Sequence, residues 1–366
     1  MASEPASRPA TRYGSLTRGQ AAVVGVLLLA VMGWLLAGSR SGATTAAAAP
    51  ARSSDESDVA LYRAIVARVH GGEGYYDAAG AELRARGYPT RPFLNWRQPT
   101  YAWFLGNLPR PWLANVALGL LAVAVVVSTR RWLLRSPWRA NVNVATVLVI
   151  LTMSVCLVTN VVFLQEAWAG FFIALSVCWF ALECWPLGVA AALAALAFRE
   201  LALLPCLIGL LIALRRQRWA ESSAWLAGLA AYAILMRLHL AEVTRHLRPG
   251  DVSRGWMAMG GARFLIQTCK WSPLLIALPD WLVALVVPFV LLGLAGWRGD
   301  SGTRVALVVF GYMAIFSVAG HPFNDYWGAT FAPLLAFGIM AAPDSVRDLA
   351  RAVREGHAAS PHGTRG

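Results

Sequence analysis

Residues 187–214 read LGVAAALAALAFRELALLPCLIGLLIAL, an apolar run whose only charges are Arg199 and Glu200. How this run is divided decides the topology. Dense arginine in short loops marks the cytoplasmic side of a membrane, and four such clusters lie outside the run: Arg130, Arg131, Arg135 and Arg139; Arg215, Arg216 and Arg218; Arg298 and Arg304; and the tail from Arg347 to Arg354. With the N-terminus inside, all four fall on one side only if 187–214 is a pair of short helices that turns at Phe198-Arg199-Glu200. A single helix would carry Arg215 to the opposite face.

Working outward, apolar segments run from Ala21 to Gly38, Trp112 to Ser128, Val142 to Val162, Ala167 to Cys184, Leu187 to Ala197, Leu201 to Leu214, Ala224 to Leu238, Leu278 to Trp297, Val305 to Ala319 and Tyr326 to Ala342. They predict an all-α polytopic membrane protein of roughly ten transmembrane helices. The first segment precedes an Ala-rich stretch, Ala46 to Ala49, so a cleavable leader is the alternative to a retained anchor. Its length and the spans that follow favour the anchor. The organisation expected is a cytoplasmic segment over 1–20, a membrane domain over 21–342 and a cytoplasmic tail over 343–366. Long outer loops occupy 39–110 and 239–277. The first of these carries many arginines, yet loops of that length escape the charge rule.

Composition agrees. Of 366 residues 58% are hydrophobic and 14% charged, against about 25% charged in soluble domains, and the mean hydropathy is +0.54. A soluble enzyme, a disordered scaffold and a secreted disulfide module are excluded. The net charge of +13 comes from arginines flanking apolar spans, where they meet anionic lipid headgroups rather than nucleic acid. Lys270 is the only lysine. The five cysteines show no CxxC or Cys/His spacing for a metal.

The topology sorts the chemistry, because Asp55, Asp58, Arg97, Glu166, Arg199, Glu200, Lys270, His321 and Asp325 all fall at the outer end. In the first outer loop Leu61, Ile65 and Val69 recur at helical spacing beside Tyr62 and Val66, with Arg63 and Arg68 opposite. This pattern predicts an amphipathic helix on the membrane surface, started by Ser57 or Asp58. Gly71 to Asp77 and Gly87 to Thr100 follow, the latter mixing prolines and aromatics with Arg91, Asn95, Trp96 and Arg97. Its prolines predict an extended path. Such a stretch suits sugar stacking and phosphate pairing, and equally an interfacial aromatic belt with snorkelling arginines.

Asp58-Val-Ala-Leu-Tyr62, then Gly74-Tyr-Tyr-Asp77, then Arg91-Pro-Phe-Leu-Asn-Trp-Arg-Gln-Pro-Thr100 before the second span resembles the GT-C superfamily of integral-membrane glycosyltransferases. The resemblance implies a polyprenyl-phosphate sugar as donor, a bacterial inner-membrane location and a periplasmic active site. The acceptor it implies is a hydroxyl of an envelope glycan, lipid or protein, and no further cofactor is required. It also implies that Asp58, by its spacing to Tyr62, is the catalytic base. Asp55 is the fallback, since Asp55, Glu56 and Asp58 crowd one turn. Val59 stands where an Asp-Glu pair would have its Glu, a departure from the protein O-mannosyltransferase and lipid A aminoarabinose transferase branch. Leu193 to Pro205 is similar to the outer turn where many of these enzymes hold a basic residue against the donor phosphate. Arg199 occupies that place, with Arg97, His321 and Lys270 as further phosphate ligands. Tyr62, Arg91, Asn95, Trp96, Glu200, Asn324 and Asp325 complete the expected substrate contacts.

Each residue has a structural alternative: a helix cap for Asp58, an ion pair with Glu166 or Glu200 for Arg199, and a Pro/Asn turn for His321 to Trp327. Two further functions compete, a transporter or flippase for a lipid-linked sugar and a non-catalytic envelope assembly partner.

Overall fold

The computed structural model describes residues 11–40, 57–135, 141–158, 160–253, 255 and 258–355. Among these it is all-helical, with a lone bridge between Arg91 and Ser253. Fourteen α-helices are described: α1 (Arg18–Arg40), α2 (Asp58–His70), α3 (Tyr75–Ala85), α4 (Pro99–Gly106), α5 (Trp112–Arg135), α6 (Val142–Met153), α7 (Gln165–Ala181), α8 (Trp185–Phe198), α9 (Leu203–Arg215), α10 (Trp219–His246), α11 (Gly261–Cys269), α12 (Asp280–Gly296), α13 (Gly299–Val318) and α14 (Ala332–Glu355).

Each of the ten apolar segments contains a helix, but four are long and apolar enough to cross a membrane: α1, α5, α10 and α13. A fifth span results if the 3-10 turn Pro322–Thr330 and α14, which meet at 67°, count as one broken element. The other apolar helices α6, α7, α8 and α12 are shorter. The run over 187–214 divides as its charges predict. Helix α8 stops at Phe198, a 3-10 turn takes Glu200–Ala202, and α9 packs back so that Cys206 Sγ lies 3.5 Å from the Ala192 carbonyl.

Helix α7 forms the centre. It is buried on nearly every side from Gln165 to Cys178, as an evenly apolar helix must be. Gly170 lets it touch the 3-10 turn, since a Cβ there would stand 2.1 Å from the Ala329 carbonyl oxygen. Gly328 does the same for α11, with 1.9 Å to the Thr268 carbonyl oxygen. These contacts sink Asn324, Tyr326 and Trp327 into the bundle.

Loop segments hold more helix than hydropathy indicated. Helices α3, α4 and α11 lie where loop was expected, and Pro99 opens α4 at a helix N-terminus, which lacks nothing without its N–H. The extended path survives over 88–92 up to a 3-10 turn at Phe93–Trp96. The expected amphipathic helix is α2, but protein rather than a membrane surface takes its apolar face. Gly106 of α4 sits so close that a Cβ would be 2.5 Å from Val69. The tail expected from residue 343 begins inside a helix, because α14 runs unbroken through Pro343.

The helix ends segregate. Thr11 donates twice to Asp348 (2.8 and 2.9 Å), Arg12 reaches Gly299 and Thr303, and Arg216 and Arg218 meet on Asp300. The N-terminal segment, the α9–α10 turn, the start of α13 and the tail are therefore neighbours at one end. The long loops and the turn before α14 meet at the other.

Candidate active site

Ser57 rather than Asp58 caps α2, its hydroxyl accepting the Ala60 N–H at 3.2 Å. The Asp58 carboxylate turns instead into a cavity at the loop end. Its two oxygens accept the hydroxyls of Tyr88 at 2.6 Å and Tyr326 at 2.7 Å. Tyr88 comes from the loop before α4 and Tyr326 from the turn before α14, so both ends of the chain hold this one side chain.

Arg97 faces Asp58 across the same cavity. Its backbone is left-handed, at φ 41°, an uncommon state for a non-glycine residue that costs on the order of 1–3 kcal/mol and must be held by its surroundings. Tyr75 supplies that hold by donating its hydroxyl to the carbonyls of Trp96 and Arg97. The guanidinium donates from Nε to the Tyr62 hydroxyl at 2.9 Å, reaches the Tyr326 hydroxyl at 3.5 Å and lies 3.5 Å from Glu200. Burial lifts the Tyr62 phenol above its usual range against the pull of the Arg97 cation, so it stays a neutral acceptor.

The cavity has a volume of about 70 Å³ and is open at its mouth. Asp58 and Tyr62 line it from α2, and Tyr88, Asn95 and Arg97 from the following loop. Gly255 of the second long loop and His321, Phe323, Asn324, Tyr326 and Trp327 complete the wall. The two long loops are clasped beside it. Arg84 pairs with both Asp251 oxygens (2.9 and 3.0 Å), and the Thr90 N–H donates to the Val252 carbonyl at 3.0 Å. Hydrogen bonds from Arg84 hold the Asp251 carboxyl down at about 2.

Of the residues singled out in the sequence, Asp58, Tyr62, Asn95, Arg97, His321 and Asn324 converge on this wall. Of the other described ones, none lines it. Arg199 has no solvent exposure. Its Nε sits 2.6 Å from Glu166, it also pairs with Glu200, and its guanidinium lies 6.0 Å from the Trp327 ring. The ion-pair alternative is thus the arrangement present, with Glu200 bridging Arg199 to Arg97. Lys270 is drawn to Asp280 at 2.8 Å. Trp96 is buried and donates its indole N–H to the Thr90 carbonyl at 2.9 Å. Arg91 is exposed and bonds through its backbone to Val252, and Asp325 is half-buried outside the wall. Asp55 lies outside the described residues.

Tyr88 and Tyr326 were not singled out. Both sit inside stretches of evident interest, but nothing local connects them to an acid 30 and 268 residues away. No group of three His, Cys, Asp or Glu side chains able to hold a metal occurs among the described residues. The cavity offers one carboxylate acceptor, one guanidinium and several hydroxyl and aromatic surfaces. That set can accept a proton, bind an oxyanion and stack against a sugar ring. Compared with protein-family models, curated proteins and solved structures, the chain matches none.

Proposed function

We propose that this protein is a GT-C-like membrane glycosyltransferase. In this reading it moves a sugar from a polyprenyl-phosphate donor to a hydroxyl of an envelope glycan, lipid or protein at the periplasmic face of a bacterial inner membrane. The shorter apolar helices complete a layout of about ten spans. The observation that carries the reading is the opposition of Asp58 and Arg97 across one cavity, joined through Tyr326.

The chemistry needs few groups. Asp58 takes the acceptor hydroxyl proton as that oxygen bonds to the sugar C1. The bond from C1 to the phosphate oxygen breaks with its electron pair, and polyprenyl phosphate leaves. Arg97 balances the charge that develops on the phosphate, with His321 at the mouth as a second contact. Tyr326 ties base and cation into one geometry, and Phe323 and Tyr88 offer faces for the sugar. An apolar groove of about 260 Å³ lies between α1, α11, α12 and α13, lined by Trp34, Leu265, Leu291 and Met313. Helix α11 separates it from the cavity wall, and its Phe264 meets the Trp327 ring. An isoprenoid chain has matching room there.

A flippase for a lipid-linked sugar remains the competing reading, favoured by the buried Arg199–Glu166 pair, since charge inside a helical bundle often marks a transport path. The deciding experiment compares glycosyl transfer by wild type and Asp58→Asn with a panel of polyprenyl-phosphate sugars and a membrane-glycan extract. Transfer by wild type that drops about 10²–10⁴-fold in a folded, donor-binding Asp58→Asn protein supports Asp58 as base. Equal transfer by both moves the base elsewhere, with Asp55 next. Translocation of a labelled lipid in vesicles without transfer would establish the flippase.

A further inference from the structure

A second groove opens at the opposite end of the bundle. Helix α9 leaves the Arg199–Glu200 corner at Leu203 and ends at Arg215, about 18 Å further on. There its last turns and the first turns of α13 enclose about 590 Å³. The inner walls are apolar, with Leu211 and Ile212 from α9 facing Leu307 from α13. Leu211 and Leu307 remain 54% and 43% exposed, on a seam that includes a helix of membrane-spanning length.

The mouth is basic. Asp300 on its rim is engaged by Arg216 at 2.7 Å and Arg218 at 2.8 Å. Arg12 arrives from the N-terminal segment and donates to Thr303 Oγ1 at 2.5 Å and to the Gly299 carbonyl at 3.3 Å. Arg215 is exposed and makes no ion pair among the described residues. Arg216 and Arg218 thus occupy the Asp300 carboxylate, while Arg215 on the groove wall and Arg12 on the neighbouring Thr303 add two further guanidinium groups beside a slot lined by leucine.

We infer that this groove binds an anionic glycerophospholipid, its phosphate between Arg215 and Arg12 and one acyl chain along Leu211 and Leu307. A guanidinium fork matches phosphate oxygens in pairs. A zwitterionic choline headgroup brings its own cation into a field that is already positive. A soluble phosphate ester would leave the leucine wall uncovered. The inference stands on the membrane character of the chain and is independent of glycosyl transfer.

The test titrates full-length delipidated protein in neutral detergent with phosphatidylglycerol, phosphatidylcholine and glycerol 3-phosphate, counting bound molecules by native mass spectrometry. Phosphatidylglycerol should bind in preference to both other probes. Arg215→Gln should weaken it about fivefold, the share of one arginine at an anionic surface, and Leu307→Asp, which leaves the arginines at the mouth in place, should weaken it as well. Arg130→Gln, in a different arginine cluster, should bind as wild type does. Equal binding of phosphatidylglycerol and phosphatidylcholine, equal binding of glycerol 3-phosphate, an unchanged Arg215→Gln or an equal loss in Arg130→Gln would each overturn the assignment.

Discussion

Arg97 and Arg199 share Glu200 and differ in almost everything else. Arg199 is sealed in the bundle against Glu166 and Glu200, while Arg97 keeps 14% of its side chain exposed and faces an open cavity with Asp58. In sequence the contrast points the other way. A lone arginine in an apolar hairpin stands out, whereas Arg97 sits in a loop already rich in polar groups. A charge in apolar sequence must be functional or paired, and here the pairing is visible. The more conspicuous arginine is spent within the bundle, and the ordinary one lines the cavity.

This contrast can be broken by mutation. The largest effect should come from Arg199→Met, which abandons the Glu166 carboxylate in the core and should cost about 3–5 kcal/mol. Thermal midpoints in detergent would report it, and adding Glu166→Gln should recover part of the loss. A wild-type midpoint for Arg199→Met would mean that the pairing contributes nothing to stability. Arg97→Gln should behave oppositely, keeping its fold but lowering transfer about 10²–10³-fold, the usual loss of one charge-stabilising donor. If phosphate affinity instead survives Arg97→Gln and disappears in Arg199→Lys, the two roles are exchanged.

The loop clasp comes next. Asp251→Asn should cost about 2 kcal/mol, the scale of hydrogen bonds to a charged group. Its pH dependence has a definite sign. Asp251 titrates near 2 when folded, below its ordinary 3.8, so the clasp stabilises fully above about pH 4 and weakens as pH falls toward 2. Unfolding midpoints of wild type and Asp251→Asn should converge over that interval; a constant gap would show that the carboxylate does not titrate there. The smallest effect belongs to Arg68–Glu73, whose 2.6 Å separation equals that of Arg199–Glu166 but whose side chains are 38% and 33% exposed. Arg68→Gln should leave the midpoint where it is, since solvent screens such a pair. Equal losses at both pairs would refute burial as the deciding variable.

Much of the molecule is legible without coordinates. Hydropathy and arginine spacing locate ten apolar helical segments, the break at Phe198-Arg199-Glu200 and the helix from Asp58, because each depends on neighbours within a few turns. Helices α3, α4 and α11 are short enough to escape that reading, and tertiary packing stabilises them where propensity alone does not. The lengths of the shorter apolar helices also differ from a uniform set of spans, since buried helices such as α7 answer to packing rather than to bilayer thickness.

The site divides in the same way. Of the thirteen residues that residue types and the GT-C resemblance single out, Asp58, Tyr62, Asn95, Arg97, His321 and Asn324 reach one cavity wall. Residue types and resemblance cannot tell which arginine opens onto it, or that Tyr88 and Tyr326 hold the acid. Those facts follow from close approaches at Gly170 and Gly328 that sink the turn before α14 against α7 and α11. Sequence alone determined the membrane class, the helical segments and the set of polar groups, because backbone hydrogen bonding and transfer from water act locally along the chain. Only the tertiary structure decided which of those groups are spent on one another and which are left facing a cavity, because burial and charge pairing depend on what the rest of the chain brings alongside.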